Sequence, residues 1–152
     1  MIEVAPGVGL VLAPNPGPMT LDGTNTWVLG GGGGPSIVVD PGPADAAHLR
    51  AVQQAAGEVA VTVLTHRHLD HSEGLPDFAA QTGSGVRAAD ATYAIVTDDC
   101  DGGLADGWRQ SVGGLTVTAL STPGHTSDSM SLLVEGSEGA WLLTGDMVLG
   151  RG

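Results

Sequence analysis

The chain has 152 residues, 41% of them hydrophobic, which is enough for one domain with a real core and too short for two comfortable ones. Its 25 glycines, 9 prolines and 3% aromatic content predict a core of Val, Leu, Ile and Ala built from many short elements joined by tight turns. The formal net charge of −12 repels phosphate backbones and anionic lipid surfaces, which disfavours nucleic acid and membrane partners unless a bound cation overrides it locally.

The single cysteine, Cys100, excludes an internal disulfide. The N-terminus MIEVAPGVGLVLAPNPGP lacks a basic leader region and is broken by Pro and Gly, and no apolar run nears membrane-spanning length. A cytoplasmic location is the resulting expectation. The sequence leaves self-association into a homo-oligomer open.

Three strands are expected first, at Val8 to Ala13, Thr24 to Gly30 and Ser36 to Asp40. The glycine run Gly30 to Gly34 reads as a hairpin connection between the second and third, without site chemistry. The stretch PGPADAAHLRAVQQAAG predicts a helix: Pro43 suits a first helical position, Asp45 favours the positive start, Leu49, Val52 and Ala56 share one face, and Gly57 ends it. His48 on this helix has no partner nearby in sequence and reads as structural. Val59 to Thr65 is an apolar, β-branched run expected to be a strand covered on both faces. Ile37 to Leu64 thus forms a strand–helix–strand unit, for which a right-handed crossover is the economical arrangement.

At the carboxyl end of that last strand, where α/β sheets place ligands, stands THRHLDHSEG, Thr65 to Gly74. His66 and His68 project to one side while the chain is extended. Asp70 and His71 lie where it turns into a short helix, SEGLPDFAAQTG, with Ser72 as the expected cap. Three imidazoles and a carboxylate in six residues are donors that zinc or another borderline divalent ion prefers, and burying them without a cation is costly.

The run His66, His68, Asp70, His71 resembles the signature of the metallo-β-lactamase superfamily. STPGHTSDS (Ser121 to Ser129), LLTGDMVLG (Leu142 to Gly150) and IVVDPG (Ile37 to Gly42) follow the same family pattern. More narrowly, NPGPMTLDGTNTW, THRHLDHSEG, TPGHTSDSMSLL and TGDMVLGRG are similar to the β-lactamase-like protein 2 group, relatives of the glyoxalase II hydrolases. The resemblance implies an α/β fold, an αββα sandwich over residues 1–152 whose second half is incomplete at the C-terminus. There the family continues into a further sheet portion, helices and a last histidine for the second metal.

Carried over to this chain, the resemblance implies that His66, His68 and His125 hold a first metal. Asp70, His71 and Asp146 would hold a second, with Asp146 shared, and Asp40 would support the ligands from behind. Two zinc ions are implied in the complete protein, with iron or manganese as alternatives. Asp70 gains a further, catalytic role in orienting the metal-activated water and passing on its proton. The implied activity is hydrolysis of an ester, thioester or phosphodiester in a small-molecule substrate. A catalytically weak metal-binding short form is an alternative, as is an endoribonuclease, which the charge opposes. A mononuclear iron thiol dioxygenase would share most of these ligands. Asp128 and Ser129 read as turn or capping residues, and Thr97 to Asp106 as a solvated acidic loop near the site mouth.

Overall fold

A computed structural model describes residues 1–149. Among the described residues, ten strands form two sheets. The first sheet holds β1 (Ile2–Ala5), β2 (Val8–Leu12), β3 (Asn25–Gly30), β4 (Ser36–Val39), β5 (Val59–Val63) and β6 (Val86–Arg87), in that spatial order. Pairing is antiparallel from β1 to β4 and parallel through β5 and β6. The second sheet is an antiparallel meander of β7 (Arg109–Val112), β8 (Leu115–Ser121), β9 (Met130–Gly136) and β10 (Gly139–Leu143).

The strands expected from the sequence all form, each one or two residues shorter than its apolar run at one end at most. The Gly30 to Gly34 run closes the β3–β4 hairpin as expected. Helix α1 (Ala46–Ala56) connects the parallel pair β4 and β5. Asp45, rather than Pro43, sets its start: the carboxylate accepts the His48 backbone N–H at 2.7 Å as an N-cap, which leaves Pro43, expected at the first helical position, outside the helix.

The sheets pack face to face. Val8, Leu29, Ile37, Val39, Val61 and Val63 from the first meet Leu115, Val117, Ala119, Leu132, Val134 and Leu143 from the second in one core. Alternation in β8 explains this, because Leu115, Val117 and Ala119 are buried while Thr116, Thr118 and Leu120 on the other face are not. On its far side the first sheet buries Val11, Val28 and Val38 against Leu49, Val52 and Ala56 of α1. Phe78 of α3 (Leu75–Thr82) fills the same cluster. Helix, sheet and sheet are thus three layers of the expected αββα sandwich. Among the described residues no helix is long and apolar enough to cross a membrane.

The helix expected to begin at Ser72 differs in detail. A separate turn, α2 (Leu69–Ser72), begins within the histidine motif, and α3 follows after Gly74. Ser72 therefore ends a helical turn, and its hydroxyl donates to the Arg67 carbonyl at 3.0 Å instead of capping. Phe78→Ala removes a fully buried ring that joins α3 to the sheet. It should lower unfolding free energy by about 3–5 kcal/mol in denaturant titration.

Candidate metal centre

The site is built where the two sheets meet. Beyond β5 the chain bends at Thr65 and passes through the deeply buried His66 before turning into α2, which carries Asp70 and His71. The second sheet adds His125 from the β8–β9 connection and Asp146 from the short 3-10 turn Gly145–Met147 after β10. Met130 at the start of β9 donates its N–H to the Thr65 carbonyl at 2.9 Å, tying the two contributions together.

All six expected ligands converge. His66, His68, His125 and Asp146 each offer a donor atom within 4.8 Å of the others, and so do Asp70, His71 and Asp146. Asp146 faces both groups. Its Oδ2 lies 3.8 Å from His66 Nε2 and 3.6 Å from His125 Nε2, while its Oδ1 lies 3.3 Å from His71 Nε2. His68 presents Nδ1, 2.9 Å from His125 Nε2, and Asp70 Oδ2 stands 3.4 Å from His71 Nε2.

Asp40 supports this cluster from beneath, with a backbone φ of 51° that turns the chain sharply after β4. A short polar side chain tolerates that left-handed conformation better than most. The carboxylate, 2% exposed, accepts the Thr65 N–H on Oδ1 at 2.7 Å. Its Oδ2 takes the Thr65 hydroxyl at 2.6 Å and His71 Nδ1 at 2.8 Å. Because the Thr65 hydroxyl proton is committed to Asp40, its oxygen can only accept from His66 Nδ1, 3.0 Å away. Both rings are thereby fixed with Nδ1 protonated and Nε2 turned into the cluster.

That orientation tests whether a metal fits. His66 Nε2 is buried with no hydrogen-bond partner, an arrangement that proteins avoid unless something else satisfies the atom. A cation between His66, His125 and Asp146 would do so, and the imidazole and carboxylate donors suit zinc-type ions. Burial, and the proximity of a charged His71, lower the His66 pKa and keep its ring neutral. His71 behaves oppositely: burial works against its charge, but Asp40 and Asp146 prevail and raise its pKa to about 10. The hydrogen bond from His71 in turn lowers the Asp146 pKa, against the effect of burial. Between Asp70 and Asp146, His71 Nε2 thus holds a proton where a metal ligand would need its lone pair, and a bound cation would displace it.

Further residues shape the centre. Gly145, at φ 52°, lets the Asp146 turn approach the floor, since a Cβ there would lie 2.9 Å from Thr65 Oγ1. Arg67, between two of the histidines, donates to Ser127 Oγ at 2.9 Å and Asp128 Oδ1 at 3.2 Å, linking the turns that carry His68 and His125. Asp128, expected only to shape its turn, is therefore also an ion-pair partner. Ser129 does keep the turn role, its Oγ accepting the Thr126 N–H at 3.1 Å. His48 is structural as expected, buried and 3.1 Å from Thr26 Oγ1. The acidic loop is a departure: Asp98, Asp99 and Asp101 are exposed, but Cys100 and Leu104 anchor it in the core and it lines no part of the cleft. A cleft of about 460 Å³ opens on the Asp70–His71 side of the centre, lined by Asp40, Thr65, Asp70, His71 and Asp146 and by Leu10, Leu12, Met19 and Leu142.

Two outcomes follow for the metal-free chain. Asp40→Ala strips the buried Thr65 and His71 donors of their acceptor and should cost about 3 kcal/mol in denaturant unfolding. Because the folded-state pKa of His71 is raised above its ordinary 6.5 to about 10, its stabilisation is fully present below pH 6.5 and lost as pH rises through about 10. Zinc uptake at pH 8 should accordingly release protons, measured by calorimetry in buffers of different ionisation enthalpy.

Comparison with known proteins agrees with this geometry. The metallo-beta-lactamase superfamily profile matches residues 19–152. An atrochrysone carboxyl ACP thioesterase of Aspergillus fumigatus is 38% identical over 153 residues, covering 98% of this chain and 47% of the relative. The lactamase-like protein nscB of Trichophyton rubrum is 38% identical over 154 residues, covering 99% and 46% respectively. The chain spans about half the length of these curated relatives. Among solved structures, a mutant metallo-β-lactamase from Cronobacter sakazakii superposes with a TM-score of 0.72 at 25% identity, over 93% of this chain and 62% of that one. With the profile extending over most of its length and the two-sheet sandwich carrying the motif residues into one cluster, the chain belongs to the metallo-β-lactamase superfamily.

Proposed function

We propose that this chain carries the two-metal centre of a hydrolase whose substrate is an acyl thioester. The observation that carries the metal reading is the position of Asp146 between two donor groups, beside the unpartnered His66 Nε2. His66, His68 and His125 would hold one ion, Asp70 and His71 the other, and Asp146 both. Zinc is the ion that this donor set suits best, with iron or manganese as outcomes of metal analysis. Bound there, a pair of divalent ions supplies Lewis acidity and lets a water ionise near neutral pH.

The protein's own groups do the rest. Asp40 holds His71, and through Thr65 holds His66, in the tautomers that ligation requires. Asp70, with a side chain 27% exposed, is open enough to the cleft to take the proton of an attacking water and return it to solvent. The leucine-bearing walls give an acyl group an apolar surface beside the reacting carbonyl. The thioester class is supported by the Aspergillus fumigatus relative, named a thioesterase for an ACP-bound acyl group. The finer grouping with β-lactamase-like protein 2 and glyoxalase II rests on the motif run alone, and the relatives named above carry lactamase-like and thioesterase names instead. The net charge of −12 stands against an endoribonuclease.

Elemental analysis of the purified protein should find close to two zinc ions per chain. The protein extended to the length of its relatives should hydrolyse an acyl thioester, followed by thiol release, and leave single-stranded RNA intact. His68→Ala should reduce the thioester rate at least about a hundredfold; an undiminished rate would refute the site.

A further inference from the structure

The loop between β2 and β3 bears on the metal centre through one chain of hydrogen bonds. Thr24, 4% exposed, donates its hydroxyl to Asp70 Oδ2 at 3.3 Å across 46 residues of sequence. The direction of that bond is set by Asn15. Its Oδ1 accepts the Thr24 backbone N–H at 2.9 Å, which leaves its Nδ2 to donate to Thr24 Oγ1 at 3.0 Å. With its oxygen engaged as an acceptor, the Thr24 hydroxyl has its proton free for the carboxylate.

The loop is shaped to hold this arrangement. Ala13 N–H donates to the Thr24 carbonyl at 2.9 Å, and the Thr20 hydroxyl donates to the Asn15 carbonyl. Gly23 sits at φ 134°, where a Cβ would fall 2.1 Å from the Ala13 carbonyl oxygen and 3.3 Å from Asn15 Oδ1. Only glycine lets the chain pass this close to the Ala13 carbonyl and the Asn15 amide.

We infer that Thr24, oriented by Asn15, is a positioning residue that fixes the Asp70 carboxylate for the second metal and for proton transfer. The inference rests on the proposed ligand role of Asp70. A half-buried carboxylate on a helical turn has several rotamers, and one hydroxyl donor selects the one that faces His71 Nε2. Thr24 Oγ1 and His71 Nε2 approach the same oxygen, Asp70 Oδ2, so the hydroxyl holds that oxygen toward the second donor group.

The test titrates zinc or cobalt(II) into the metal-depleted protein by calorimetry and by cobalt absorption, with kcat and KM measured on a thioester in parallel. Thr24→Val, which keeps shape and loses the hydroxyl, should weaken the second ion about tenfold or more and lower kcat with little change in KM, at unchanged first-ion affinity. Thr24→Ser should restore both. Asn15→Asp keeps an acceptor for the Thr24 N–H but turns the hydroxyl toward itself, so it should reproduce the loss while retaining the melting temperature. Wild-type second-ion affinity in Thr24→Val or Asn15→Asp, when Asp70→Ala loses that ion, overturns the role of Thr24 and leaves the site reading standing. Absence of a second ion from the wild-type protein overturns both.

Discussion

The Asp40 carboxylate is the interaction on which the centre depends. Buried beneath the site and accepting three hydrogen bonds, it sets the Thr65 backbone, the Thr65 hydroxyl and the His71 ring at once. An anion is stable in that position only because every donor around it is aimed inward. Its left-handed backbone adds strain of its own, a conformation that persists where surrounding contacts over-determine it. Through Thr65 the same carboxylate reaches His66, so two of the imidazoles take their orientation from one acidic group.

Charge balance in the cluster has the same origin. His71 stands between Asp40 on one side and Asp70 and Asp146 on the other. Its proton and a divalent ion answer the same local excess of negative charge, and they compete for it. At His66 burial, together with the charge of His71, outweighs the pull of Asp40 and Asp146, and the ring stays neutral. Two imidazoles whose ring centroids lie 4.3 Å apart are therefore held in different protonation states by their surroundings alone.

Much of this was legible in the sequence, and the reasons are local. His66, His68, Asp70 and His71 could be read because a strand end and the turn after it bring near neighbours together without help from the rest of the fold. The β4–α1–β5 unit was legible from the same kind of short-range periodicity. His125 and Asp146 lie in Pro-Gly-His and Thr-Gly-Asp turns of ordinary composition, and only the order of family motifs singled them out. Arg67, Thr65, Thr24 and Asn15 escaped notice because their partners are set by tertiary packing: Arg67 meets Asp128 across 61 residues and Thr24 meets Asp70 across 46. Gly145 gave no signal beyond its place before Asp146, since its need for a left-handed φ and a close approach to Thr65 arises only in the folded chain. Ser72 misled as a cap because the chain begins its helical turn three residues earlier, inside the metal motif itself.

The division of the proposed ligands between the sheets has a mechanical side. His66, His68, Asp70 and His71 move with the first sheet, and His125 and Asp146 with the second. The Val, Leu and Ala layer between them, pinned near the site by Met130 N–H on the Thr65 carbonyl, is therefore a spacer whose thickness sets the separation of the ligands. A close-packed interior resists compression and transmits small displacements. Repacking at Leu132 or Val117, far from any donor atom, would reach the centre as a change in the distance across it.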